Sequence, residues 1–255
     1  METMDILSPF FKWIHILAGI LWIGLLYWFN FVNIPFAPTM DGETKKKVVP
    51  ELLSRALYFF RWGAVWTWTA GLLLLLLVFY HGGLMFEQGT KGWGLESYVM
   101  VAVTFLIFPL YDAVAKSGAG KNLKVMGAIG FVVTGLIVYL MINWAEFSYR
   151  AYNIHVGAMF GTIMVMNVWM RIWPAQKKGI PAIKGGTAPD AALMAQAGQR
   201  SRHNTYLSVP LVWTMINAHT VIPGAGSWLW LPGVILVGWL AVTLVYGKST
   251  RVKGM

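Results

Sequence analysis

The chain has 255 residues, a formal net charge of +10 and no cysteine; 57% of it is hydrophobic and only 12% is charged. Soluble domains carry about 25% charged residues, so this composition excludes an ordinary soluble globular fold and excludes disorder. The missing cysteines remove disulfides, thiol nucleophiles, iron–sulfur clusters, cysteine zinc sites and covalently attached c-type haem.

A membrane span needs about 20 largely apolar residues, and the sequence predicts seven. Taken along the chain they are 8–33, 58–81, 97–115, 123–145, 150–174, 205–222 and 227–247. The first is a span rather than a signal peptide, because its flank METMD is acidic and its apolar run is too long. The sixth is short, and Pro210 is expected to bend it. Two long connections separate spans. Residues 34–57 hold the basic run Lys45–Lys47 and a helix-like stretch feeding span two. Residues 175–204 hold Gly185-Gly186-Thr187, then Pro189-Asp190 ahead of the helix-like stretch AALMAQAGQRSR. That stretch is expected to lie on the inner surface, or else to serve as a solvated connector.

Sorting Lys and Arg by loop fixes the orientation. With the N-terminus outside, 17 of the 20 cations fall on the inner side, and only Lys12, Lys91 and Arg150 fall outside. Orientation follows this asymmetry rather than net charge. The fold class is therefore an all-α polytopic membrane bundle of about seven helices, one domain over 1–255. Its N-terminus is expected outside, its C-terminus and the connections 34–57 and 175–204 in the cytoplasm. The expected location is a bacterial inner membrane. The surplus of positive charge is then a topology signal and not a nucleic-acid surface.

Ionisable groups inside spans are costly, so each intramembrane histidine is a site candidate. His15 in span one and His155 in span five both lie roughly 8–10 Å below the outer boundary at about 1.5 Å per residue. His219 and His81 fall near the outer ends of spans six and two. His203 alone lies inside, beside Arg200 and Arg202, where a loop or helix-start position is expected. Imidazoles on facing helices hold haem or metal in bundles, and the expected axial pair is His15 with His155, with His219 third and His81 completing a second site. Gly19 and Trp22 follow His15 on one helical face, and a glycine there leaves room for a flat macrocycle. Gly157 and Gly161 do the same near His155, or else form a close helix contact. The outer cations Lys12 and Arg150 suit haem propionates. Interhelical hydrogen bonding is the plainer alternative for each histidine. Asp112, at the inner end of span three, is expected to pair with Arg61 or a basic loop. Arg61 is expected to reach the inner surface along its aliphatic stem.

Three segments carry a resemblance: HILAGILWIGLLYWFNF, RWGAVWTWTAG and RSRHNTYLSVPLVWTMINAH. They resemble the membrane domain of bacterial membrane-bound urate hydroxylases, the urate oxidase N-terminal family, over nearly the whole chain. The resemblance singles out His15, Arg61, His203, Asn204 and His219. It implies an oxidoreductase that converts urate to 5-hydroxyisourate and passes electrons to the respiratory chain. In that family a c-type cytochrome domain usually follows on the periplasmic side. This sequence has no C-x-x-C-H, so the chain is expected either to work with a separate cytochrome c or to have lost that electron exit. The expected function is a membrane redox protein holding one or two haem b groups near the periplasmic face. It would move electrons between a substrate or quinol and a cytochrome or respiratory complex. The alternatives are a copper or zinc protein built on the same histidines, and a non-catalytic subunit of a respiratory assembly.

Overall fold

The computed structural model describes residues 3–217 and 227–252, and among them every regular element is a helix. In chain order these are α1 (Thr3–Tyr27), α2 (Ile34–Phe36), α3 (Gly42–Leu74), α4 (Leu95–Leu106), α5 (Phe108–Lys116), α6 (Gly118–Lys121), α7 (Leu123–Asn143), α8 (Tyr149–Asn167), α9 (Trp173–Lys184), α10 (Ala191–Asn217) and α11 (Trp230–Ser249). Five helical runs are long and apolar enough to cross a bilayer: Ile6–Thr39, Gly42–His81, Leu123–Asn143, Tyr149–Lys184 and Trp230–Ser249. The pair α4–α5 makes a sixth if its 46° bend is counted as one span. Pro109 explains that bend, since it brings no N–H and its ring crowds the preceding turn.

The helix starts are set by side chains that accept from otherwise unpaired N–H groups. Asp41 accepts from Glu43 and Thr44 at 2.9 Å each. Asn122 does so for α7, Ser148 for α8 and Asp190 for α10. The π-helical turns Trp28–Asn33 and Val168–Ile172 come just before Pro35 and Pro174. A proline cannot donate to the carbonyl four residues back, so the turn ahead of it widens.

The connections expected at 34–57 and 175–204 are mostly helix, more of it than their helix-like stretches alone suggest. Asp41 starts a helix that runs without interruption through 57 into the second span. The run Tyr149–Lys184 is helical throughout, so only 185–190 link it to α10. The stretch AALMAQAGQRSR is helical as expected. Within it Ala197 and Arg200 are buried against the bundle, as are His203 and Asn204 just beyond it.

The core explains why. In the Tyr149–Lys184 run 67% of the apolar span is buried, against 22–33% for the other four. It is therefore the central helix of the bundle. α10 packs along it, and Gly157 marks the crossing: a Cβ there would lie 2.1 Å from Thr214 Oγ1. A Cβ on Gly161 would meet Leu211 at an ordinary 3.5 Å. These glycines admit a neighbouring helix. On the other side α1 packs along α3, with Gly63 against Ala18 and Trp22. The outward faces of α1, α7 and α11 expose large apolar residues such as Ile20, Val132 and Val237, as lipid-facing helices do.

Candidate functional site

Two polar sites are built into this frame, both on the histidines. At the first, the His15 ring lies across α3. Its Nδ1–H donates to the Thr67 carbonyl at 2.8 Å. A Cβ on Gly71 would come within 2.8 Å of His15 Cε1, so Gly71 is the glycine that makes room for the ring. Gly19 and Trp22 do share the α3-facing side with His15. A Cβ on Gly19 would lie 3.6 Å from Thr67 Cγ2, and Trp22 is buried against Gly63. Lys12 is exposed one turn away.

His155, on α8, is fully buried. Its Nδ1–H donates to the Ala151 carbonyl at 2.7 Å, and Tyr80 O–H donates to its Nε2 at 3.0 Å. Tyr80 also stacks on the ring, and Phe147 closes another side. Both histidines thus hold their Nδ1 proton on a backbone carbonyl, the device that leaves Nε2 as the lone-pair nitrogen. For His15 that nitrogen has no hydrogen-bond partner among the described residues; for His155 it is taken by Tyr80.

No direct contact joins the His15 and His155 rings. His15 meets α3 at Thr67 and Gly71, His155 meets the same helical run at Tyr80, and α3 packs against both α1 and α8. Arg150 is half-buried at the start of α8. His81 is exposed at the end of the π-helical turn Leu75–His81. His219 lies outside the described residues.

At the opposite end of these helices is a larger network, around the residues expected to matter least. His203 is not a loop or helix-start residue. It sits in the middle of α10, nearly buried, and accepts from Tyr111 O–H at Nδ1 at 2.9 Å. The Tyr111 hydroxyl accepts in turn from Asn167 Nδ2 at 2.9 Å. The same amide donates to Asn204 Oδ1 at 2.8 Å, and Asn204 Nδ2 reaches the Met164 carbonyl. α5, α8 and α10 are thereby joined.

Asp112 does not pair with Arg61. It is held by three other cations: Arg171 through both carboxylate oxygens, Lys116 at 2.7 Å and Arg200 at 3.0 Å. Arg200 is fully buried, lies over the Tyr111 ring, and leaves Nε and Nη1 without partners among the described residues. Arg61 is half-buried. Its guanidinium lies 3.8 Å above the Trp173 ring and also near Trp169 and Tyr58.

Sequence reasoning missed Arg200, Tyr111, Asn167, Thr67, Gly71 and Tyr80. One signal was available for Arg200. It precedes His203 by three residues and Asn204 by four, the spacing that puts all three on one helical face. The others are partners from distant parts of the chain.

An all-helical bundle with apolar outer faces and its polar side chains turned inward defines an integral membrane protein. The chain belongs to the urate oxidase N-terminal family, whose model matches residues 2–251. No curated relative and no solved structure matches it.

Proposed function

We propose that this chain is a membrane-embedded redox domain of the urate-oxidase type, with seven spans, the N-terminus outside and His15 as its principal cofactor ligand. α10 would be the remaining span, too polar to count by apolarity because one face carries the network around His203. The observation that carries the cofactor reading is the preset Nε2 of His15, held by the Thr67 carbonyl and left unpartnered.

The donor set fits haem b one imidazole at a time. His15 would hold the iron through Nε2, and Gly71 keeps the ring's flank clear. His155 is the second candidate, and Tyr80 would have to turn away from it. Lys12 and Arg150 would meet the propionates. Haem b supplies one-electron transfer when bound; the chain's own residues fix imidazole tautomer and orientation and exclude water with apolar walls. A copper or zinc site is less well supported, since among the described residues no three His, Asp or Glu side chains are grouped. Closed zinc sites use four such ligands and catalytic ones three. Electrons from urate or a quinol would leave to a cytochrome c or respiratory complex.

The test is the absorption spectrum of the purified protein. A Soret band that responds to reductant and is lost in His15→Ala, with helical content retained, is expected. A colourless preparation that is fully folded would sink the reading. Urate-dependent reduction of that band then tests the substrate.

A further inference from the structure

A long groove on the outside of α3 is not used by either polar site. It consists of two open cavities of about 550 Å³ each that share Tyr58 and Phe59. Toward the start of α3 the groove is polar and carries a net positive charge, lined by Glu51, Ser54, Arg55 and, from α9, Lys184. Beyond Tyr58 it runs between α1 and α3 over Leu17, Trp62 and Trp66, all partly or well exposed.

The dimensions are those of one leaflet. From Tyr58 to Trp66 is about 12 Å of helix, against a half-thickness of about 15 Å for the hydrocarbon core. The cation of α3, Arg55, comes about one turn before Tyr58, toward the headgroups. Charge decides the kind of head. Arg55 is paired with Glu51 at 2.9 Å, whereas Lys184 has no carboxylate partner among the described residues. The groove therefore carries one unmatched positive charge at its polar end. Lys46 comes close to Gly186, two residues beyond Lys184, and adds another nearby. A neutral quinol ring would leave this charge unmatched. A phosphate diester would match it, with Ser54 as a further donor.

We infer that this groove is a specific site for one acidic phospholipid, its phosphate at Arg55 and Lys184 and one acyl chain along Tyr58, Phe59, Trp62 and Trp66. It does not rest on the redox reading: the charged end at Arg55 and Lys184 carries it, although the apolar end passes Ile14 and Trp66, the chain neighbours of His15 and Thr67.

The probe is phosphatidylglycerol added to the delipidated full-length protein in detergent, read by native mass spectrometry. One equivalent is expected to be retained roughly tenfold more strongly than phosphatidylcholine with the same chains, in line with about 1 kcal/mol per cation near an anionic headgroup. Arg55→Gln with Lys184→Gln should bring the two lipids to parity while helical content stays unchanged; both positions are exposed, so folding is not at stake. Equal retention of the two lipids by the unaltered protein would overturn the proposal in favour of unselective boundary lipid. So would a preference unaffected by the double substitution. Competition by glycerol phosphate as strong as by the intact lipid would remove the acyl-chain half. Retention of a quinone that excludes phosphatidylglycerol would assign the groove to a different ligand.

Discussion

Arg200 and Asp112 are 88 residues apart in the chain, yet their side chains meet at 3.0 Å between α10 and α5. Arg200 is fully buried and Asp112 nearly so. Removing one member of such a pair strands a charge at a cost of about 3–5 kcal/mol. Asp112→Asn is therefore expected to lower the unfolding temperature in detergent sharply. Lys116→Gln, at the half-exposed partner of the same carboxylate, should cost no more than about 1 kcal/mol. Replacing both buried partners, Asp112→Leu with Arg200→Met, should be milder than Asp112→Asn alone. An Asp112→Asn protein as stable as the parent would mean that the network contributes nothing to stability.

The crossing of α8 and α10 gives a second comparison. A methyl at Gly157 would overlap Thr214 Oγ1 and press on Met215 Cε, while one at Gly161 would only touch Leu211. Gly157→Ala is expected to destabilise by about 1–3 kcal/mol through overpacking, and Gly161→Ala to be close to neutral. Thermal unfolding of the two variants side by side checks the ranking.

Gly71 tests whether His15 acts through its position. Gly71→Ala should push the His15 ring away and weaken its bond to the Thr67 carbonyl, since the new Cβ would fall 2.8–3.0 Å from Cε1 and Nδ1. If His15 binds a cofactor, Gly71→Ala should reproduce much of the spectral loss of His15→Ala with the fold intact. An unchanged spectrum in Gly71→Ala beside a lost one in His15→Ala would show that the ring tolerates displacement.

Outside the spans, Glu146 ties two loops together. Its carboxylate accepts from the Lys91 backbone N–H at 2.8 Å, and it holds a left-handed backbone with φ of 53°. That backbone bond, helped by the charge of Lys91, lowers its pKa below the usual glutamate value. A folded pKa below the unfolded one contributes stability that is complete above the unfolded value, about 4.3, and is lost as the pH falls through the folded value. Amide exchange in residues 88–94, corrected for its intrinsic pH dependence, should therefore accelerate below about pH 4. In Glu146→Gln the protection should be weaker at neutral pH and should lack this acid step.

The helices themselves were legible because apolar length, capping residues and the Lys/Arg asymmetry are local properties. His15 and His155 stood out because an imidazole in an apolar run is anomalous whatever surrounds it. His203 was misjudged for the same reason: flanked by Arg200 and Arg202, it sits in a polar stretch that resembles a surface helix. The hydrophobic pattern cannot distinguish a polar face toward water from a polar face enclosed by other helices.

From its composition and pattern alone, then, the chain is bound to be an inserted helical bundle, since so little charge cannot solvate so much apolar surface. Its family membership is likewise carried by segments of the sequence itself. Which polar groups meet was left to tertiary packing. The close approach of α10 to α8 at Gly157 helps to bring Asn204 onto Asn167. The bend at Pro109 accompanies the placement of Tyr111 and Asp112 against His203 and Arg200. Packing against one helical run sets His15 at Thr67 and Gly71 and His155 at Tyr80. Each of these depends on contacts between residues tens of positions apart, where small differences in helix crossing decide whether a buried donor finds its acceptor.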